Sequence, residues 1–514
     1  MLGILLALWI HLMFSDRSSH RPSVFARAAR LAAWLALPLS ASAAHAGDGT
    51  DPLVPGELML RAENPKLLAT ALATLSASLD EVGVLAQIDG RPIYLVSYAL
   101  GPKQTPDDVD LLLEGLILSS TITWGELNYE GQTGEGRTDS LWLSGLGLNQ
   151  SHYQSQYAGG LLGLGAAHAR SRGAGVVVAV LDTGIDATHP ALAGRVSRAG
   201  VSFVAGSASS SDIGDGLDND GDGLVDEQVG HGTFVAGLVS LVAPEAMLLP
   251  VRVLDSEGRA NNFQLARAVA WAIDRGAHVI NMSLGEDYES ITLEDVVLEA
   301  AARGIVVVGA AGNRATDDPR EYPACNDRAL GVTATGWNDL RAPFSNFDTR
   351  MDIAAPGGSI LFGGGADIAR SIIGPIPGGG FAVWEGTSLS AAFVSGAAAL
   401  VRAQHPNWPD AGMPAGQVFD TVRATLGGTG APIDSINPGF EGQLGQSRLS
   451  AAGAVAVGPV APRRGDLNFD GVISASDLTI LLGLWGPVPG GARADLDADG
   501  VVDGHDLTTL LSLW

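Results

Sequence analysis

Four short, almost uninterrupted apolar runs constrain this chain more than anything else in it: GVVVAVLD (175–182), MLLPVRVL (247–254), AHVINMSL (277–284) and GIVVVGAAG (304–312). A strand that alternates apolar and polar residues buries one face. A strand that is apolar throughout needs cover on both, as in a parallel sheet with helices on each side. The intervening segments supply such helices. FQLARAVAWAIDR carries Leu265, Val269 and Ile273 at helical spacing and stops at Gly276, and LEDVVLEAAAR repeats the design and stops at Gly304. Residues 155–455 are therefore expected to form an α/β domain with a doubly wound, mostly parallel sheet.

The flanks read differently. Between residues 47 and 135, GELMLRAE, RPIYLVSYAL and TITWGELNYE read as strands, and NPKLLATALATLSASL and DDVDLLLEGLILSS as helices. This alternation predicts a small α+β domain of roughly ferredoxin-like type. Residues 136–154 and 456–465 read as linkers, and residues 466–514 as a small helical module with calcium loops. At the N-terminus Arg21, Arg27 and Arg30 precede the apolar run LAAWLALPLSASAA, and Ala44-His45-Ala46 gives a small-x-small pattern. Residues 1–46 are thus expected to be an export signal and the protein to be secreted, extracellular or on the cell surface.

Charge and cysteine content narrow the classes. Lys plus Arg is 30 against Asp plus Glu 56, a formal net charge of −26. Phosphate recognition needs a basic face, so nucleic acid is not an expected partner. Cys325 is the single cysteine, which excludes an intramolecular disulfide, and its apolar-flanked setting reads as a buried small hydrophobe.

In open parallel sheets, chemistry gathers at the C-terminal strand edge. Asp182 ends the first run, His231 lies in GHGTFVAG, and Ser388 lies in GTSLSAAFVSGAAALV, both at expected helix starts. A helix of Ala, Gly, Ser and Val packs closely on all sides, and its first turn offers free N–H groups to a developing oxyanion. These segments, in the order Asp, His, Ser, resemble the three catalytic segments of the subtilases. The resemblance implies a serine endopeptidase in which Asp182, His231 and Ser388 are the triad. Asn313, in GAAGN, takes the place of the oxyanion-hole Asn, and Ser283, Leu284 and Gly285 that of the segment pairing with substrate. Ala310, Ala311 and Gly312 suggest a roomy, apolar side-chain pocket. His189 is expected to pack in the turn after Asp182. Two positions depart from the family pattern: Ala392 and Phe393 stand where Pro and His are usual, which implies altered local packing. By position and pattern the first unit resembles the inhibitory prodomain of subtilases, with its ELNY segment approaching the active site before maturation. An accessory domain is the alternative.

Three acidic loops invite calcium. In DGLDNDGDGLVDE (215–227), Asp218, Asp220, Asp222 and Asp226 fall at loop positions 1, 3, 5 and 9, with Gly223 at 6. Position 12 is Val229, so the closing carboxylate is missing unless Glu227 replaces it. Near the C-terminus, Asp466, Asn468, Asp470, Ser474 and Asp477 occupy positions 1, 3, 5, 9 and 12, and Asp495, Asp497, Asp499, Asp503 and Asp506 repeat them. Each of these two loops runs into a helix, and neither has an entering one. That arrangement resembles a dockerin module, which implies Ca2+ and a cohesin-like partner. A calcium-dependent fold without that partner is the alternative, since Ala475-Ser476 and Gly504-His505 differ between the repeats. At the level of the whole chain, the alternatives to an endopeptidase are an inactive protease-like binding module and a peptide ligase. The intact Asp182, His231, Asn313 and Ser388 speak against the first, and an open cleft that admits water against the second.

Overall fold

The computed structural model describes residues 53–134, 142–219, 223–358, 367–458, 464–467, 473–487, 494–497 and 499–514. The export signal expected at 1–46 lies outside them. No helix among the described residues is long and apolar enough to cross a membrane.

The first unit runs β1 (Leu53–Arg61), α1 (Pro65–Ser76), β2 (Asp80–Gln87), β3 (Ile93–Ala99), α2 (Pro106–Leu118) and β4 (Trp124–Gln132). The strand order β2-β3-β1-β4 is antiparallel throughout and matches the expected ferredoxin-like split βαβ pattern. Asn64 caps α1 by accepting from Lys66 N and Leu67 N, with Pro65 in its first turn. The strand β2 was not foreseen. Its sequence DEVGVLAQ is half-exposed at the sheet edge and shows no clear apolar alternation.

A short β5 (Trp142–Leu143) follows, then β6 (Val177–Asp182), β7 (Val201–Ser202), α3 (His231–Val242) and β8 (Met247–Arg252). After them come β9 (Arg259–Asn261), α4 (Asn262–Asp274), β10 (Val279–Met282), α5 (Ile291–Ala302) and β11 (Val306–Ala310). The domain continues through β12 (Ala329–Thr335), β13 (Ile353–Pro356), β14 (Ile372–Ile376), β15 (Gly380–Trp384), α6 (Thr387–Gln404) and α7 (Ala415–Gly428). Seven strands form one sheet in the order β13-β12-β11-β10-β6-β8-β7, and each neighbouring pair is parallel. All four apolar runs lie within it, buried on both faces. The chain leaves β6 for β8 on one side, then crosses back to β10 on the other. That reversal opens the crevice where ligands of such sheets bind.

The helix α6 is buried from Thr387 to Arg402. Small residues let it approach its neighbours closely: a Cβ on Gly396 would sit 2.6 Å from Val242 Cβ in α3. Ala392 and Phe393, the two family departures, are both fully buried in this core, so the exchange is absorbed by packing.

The stretch 136–154 is not simply a linker. Its described residues include β5, which pairs with β15, and Tyr153, which is buried and donates its hydroxyl to Gly237 O at 2.6 Å. Leu143, Leu148 and Tyr153 pack on Ile373 and Val383, and this apolar contact outweighs the turn-rich composition.

Residues 466–514 carry α8 (Ala475–Gly483) and α9 (Gly504–Leu513), with a small ladder between β16 (Gly486–Pro487) and β17 (Val501–Val502). Leu467, Ile473, Leu481, Ala494, Val502 and Leu510 form their core. Leu482, Trp485, Leu511 and Trp514 remain exposed.

Candidate active site

Asp182 closes β6, His231 opens α3, and Ser388 is the second residue of α6; all three are fully buried. His231 Nδ1 is 2.8 Å from Asp182 Oδ1, and the ring meets Trp384 edge-on with centroids 5.3 Å apart. Ser388 Oγ donates to Ser283 O at 3.3 Å, and Ser283 Oγ donates to Ser388 O at 2.8 Å. Asn281 Nδ2 donates to Ser283 Oγ at 3.0 Å and its Oδ1 accepts from Ser395 Oγ at 2.8 Å, which ties the end of β10 to α6.

Asn313 is held by its carbonyl end. Thr387 N and Thr387 Oγ1 both donate to Asn313 Oδ1 at 2.9 Å, and Gly312 N donates to Thr387 Oγ1 at 3.0 Å. The amide is therefore fixed with Nδ2 turned the other way. Among the described residues, Nδ2 is buried without a hydrogen-bond partner. A buried donor left open in this way suits a site where negative charge develops during reaction.

Asp212 was not foreseen by the sequence reading. Its buried carboxylate accepts from Thr183 Oγ1 (3.0 Å), Gly230 N (3.0 Å), Thr233 N (3.0 Å) and Thr233 Oγ1 (2.6 Å). It thereby ties the segment after Asp182 to the segments on both sides of His231. Burial pushes its carboxyl above the usual range, and the hydrogen bonds from Thr233 and Gly230 oppose that shift. His189 packs in the turn as expected: Nδ1 accepts from Ala191 N at 3.1 Å and Nε2 lies 2.9 Å from Gly380 O.

The first unit packs on helices α4 and α5. Glu126, in β4, accepts from Ser290 Oγ (2.8 Å), Ile291 N (2.9 Å) and Thr292 N (2.8 Å) and so caps the N-terminus of α5. Asn128 Oδ1 accepts from Phe263 N at 3.3 Å, at the start of α4. Arg91 pairs with Glu299 and Asp274, and Tyr129 stacks on Tyr288 with centroids 4.2 Å apart.

The end of β4 itself acts as an added strand. Gly131 pairs with Ala260, and Gln132 exchanges two backbone bonds with Gly285, at 3.1 and 3.0 Å. Thr133 N donates to Gly258 O at 2.9 Å. Gly134 then lies beside Asn313, where an added Cβ would be 2.9 Å from Nδ2. Of the expected pairing residues, Gly285 meets the segment through its backbone, whereas Leu284 is buried in the core and Ser283 binds Ser388.

The expected roomy, apolar pocket needs correction. Ala310 and Ala311 are buried, but the Glu321 carboxylate lies against Gly285 and Gly312. An isolated sequence run could not reveal this, because Glu321 reaches the site through the antiparallel bridge between Glu286 and Tyr322. Cys325 is buried nearby, and burial pushes its thiol up to about 12, in keeping with a packing role.

A family model, the subtilase family, matches residues 173–432, more than half of the chain and the whole stretch from β6 to α7. The chain belongs to the subtilase family. It is similar to Subtilisin BL of Lederbergia lenta, at 40% identity over 253 residues, which cover 47% of this chain and 82% of that relative. It is also similar to Subtilisin E of Bacillus subtilis (strain 168), at 35% identity over 265 residues, covering 49% of this chain and 61% of that relative. A solved protease from Pseudoalteromonas arctica PAMC 21717 aligns with a TM-score of 0.50 and 29% identity, covering 60% of this chain and 96% of that one. Fervidolysin from Fervidobacterium pennivorans aligns with a TM-score of 0.58 and 20% identity, covering 81% and 63%, and shares the fold. This subtilase is a serine-type endopeptidase. A dockerin type I domain matches residues 464–512.

In the dockerin module of this subtilase, Asp495, Asp497 and Asp499 bring ligand oxygens within 4.8 Å of one another. Asp477 and Asp506 are fully buried at the two position-12 sites, each accepting backbone N–H groups of its own loop. Asp503 accepts from His505 N at 2.7 Å and caps α9, and Asp466 is buried at the start of the first loop. Asn468 and Asp470 lie outside the described residues. In the 215–227 loop, Asp218 accepts from Gly223 N, and Asp226 accepts from Asp215 N and Gly216 N. Asp220 and Asp222 lie outside the described residues.

Proposed function

We propose that this subtilase is exported as a self-inhibited precursor and hydrolyses peptide bonds with Ser388 as nucleophile. Ser388 Oγ attacks the scissile carbonyl while His231 takes its proton. Asp182 accepts from His231 Nδ1, holding the tautomer and balancing the imidazolium charge. Asn313 Nδ2 and Ser388 N receive the tetrahedral oxygen. His231 then returns the proton to the leaving amine, and water hydrolyses the acyl-enzyme by the same path reversed.

The observation that carries this reading is the course of residues 131–134. They run as an extra strand between Ala260 and Gly285 and end at Asn313, as the acyl side of a peptide substrate would. The bond after Gly134 is accordingly the bond cut on maturation. Until the first unit leaves, Glu126, Asn128 and Arg91 hold it on α4 and α5, which keeps residues 131–134 in the cleft. The same module assignment leads to Ca2+ on Asp466, Asn468, Asp470, Ser474 and Asp477, and on Asp495, Asp497, Asp499, Asp503 and Asp506. Bound there, Ca2+ would offset the carboxylate repulsion and contribute folding energy to a unit with a small core. Asp218, Asp220, Asp222 and Asp226 are a third, independent candidate set. The exposed Leu482, Trp485, Leu511 and Trp514 would be available to a cohesin-like partner, attaching the peptidase outside the cell or at its surface.

Fluorophosphonate labelling followed by mass mapping tests the core of this reading. The mature enzyme is expected to begin at Glu135 and to label at Ser388, and Ser388→Ala is expected to remain uncut and unlabelled. Absence of label on the wild-type protein, in Ca2+ and after removal of the first unit, would refute it.

A further inference from the structure

The cleft-bound segment also indicates which residue decides the side chain preceding the cut bond. Gly134 holds that position. A Cβ on it would lie 2.9 Å from Asn313 Nδ2 and 3.6 Å from Gly312 Cα, on the 310–313 side of the slot that this segment forms with the 283–286 backbone. Glu321 fills the slot from the far side. A Cβ added to Gly312 would be 2.7 Å from Glu321 Oε2, and one added to Gly285 would fall on Glu321 Oε1, 2.6 Å from its Cγ. The two glycine backbones thus accommodate this carboxylate, which occupies the space beside both of them.

Glu321 is also anchored. Its residue is 3% exposed, and Arg314 Nη2 pairs with Oε2 at 3.1 Å. Arg314 is clamped in turn by Asp287, with Nη1 to Oδ2 at 2.6 Å. To admit a large apolar side chain, the carboxylate would have to leave Arg314 and be buried beside hydrocarbon, which is strongly unfavourable for a charge.

We propose that Glu321 is the specificity-determining residue of this subtilase and closes the slot, so that the enzyme cuts after small residues such as Gly, Ala or Ser. Large apolar side chains are excluded by volume. Acidic ones are excluded by charge as well. The inference rests on the assignment of Ser388 as nucleophile, and the experiment separates the two.

Mature wild-type, Glu321→Gly and Glu321→Gln enzymes are titrated with fluorophosphonate, and kcat/KM per labelled site is measured on peptides that differ only at the residue before the bond, as Gly, Ala, Phe, Lys or Glu. Wild type is expected to favour Ala over Phe by at least tenfold. Glu321→Gly is expected to raise Phe relative to Ala by at least tenfold, and Glu321→Gln, of equal size, to keep the wild-type order. Mass mapping of wild-type cuts in a denatured protein provides a readout that needs no variant, with small residues expected before the cuts. A labelled wild-type enzyme that prefers Phe or Lys, or a labelled Glu321→Gly with an unchanged ratio, would overturn the proposal. A wild-type enzyme that takes no label would overturn the nucleophile assignment instead.

Discussion

Replacing Asn313 by Ala removes a single donor whose geometry is unusually well defined. Its carbonyl end is pinned by two bonds of 2.9 Å from Thr387, and Nδ2 faces the cleft. If Nδ2 stabilises the tetrahedral oxygen, its loss should cost about 2.7–4 kcal/mol of transition-state stabilisation, or roughly 10²–10³ in kcat. The substrate carbonyl before reaction gains little from this donor, so KM should hardly move. Thr387→Val gives a graded control. It deletes one of the two bonds orienting the amide, an interaction worth about 0.5–1.5 kcal/mol, which corresponds to a roughly two- to thirteen-fold fall in kcat. Steady-state kinetics on a soluble peptide, normalised by active-site titration, measure both. A fall in kcat below tenfold for Asn313→Ala, a loss confined to KM, or a larger effect from Thr387→Val would each refute the oxyanion reasoning.

Three further outcomes are expected. Asp212→Ala strands four donors around the Asp182 and His231 segments and should destabilise the domain by about 3 kcal/mol or more, read as a fall in the denaturant midpoint. Burial raises the Glu126 carboxyl above its ordinary range. The chain with its first unit in place therefore binds that proton more readily than the separated parts do. Association is strongest below the ordinary carboxylate value and weakens as pH rises through the raised one. Glu126→Gln should flatten this dependence in a titration of domain release, and a steep dependence that survives the change would contradict the assignment. Chelation should abolish the helical circular dichroism of α8 and α9, and a spectrum of residues 466–514 unchanged by chelator would sink the calcium reading.

The sequence by itself determined the parts of this subtilase whose physics is local. Continuous apolar runs required a sheet covered on both faces. A strand-end Asp182 and two helix-start residues, His231 and Ser388, followed from segments short enough to carry their own signature. The tandem acidic loops are likewise local, since a loop's ligand spacing is set within a dozen residues. Three features depended on chain segments meeting across long separations. Asp212 is an ordinary acidic residue until folding places Thr183, Gly230 and Thr233 around it. Glu321 enters the slot because Tyr322 bridges to Glu286, and nothing around Glu321 in the chain announces that register. The course of residues 131–134 into the cleft depends on backbone bonds to Gly258, Ala260 and Gly285, which any non-proline sequence could make. Backbone pairing and buried charge are settled by what surrounds a residue in space, so tertiary structure alone decided them.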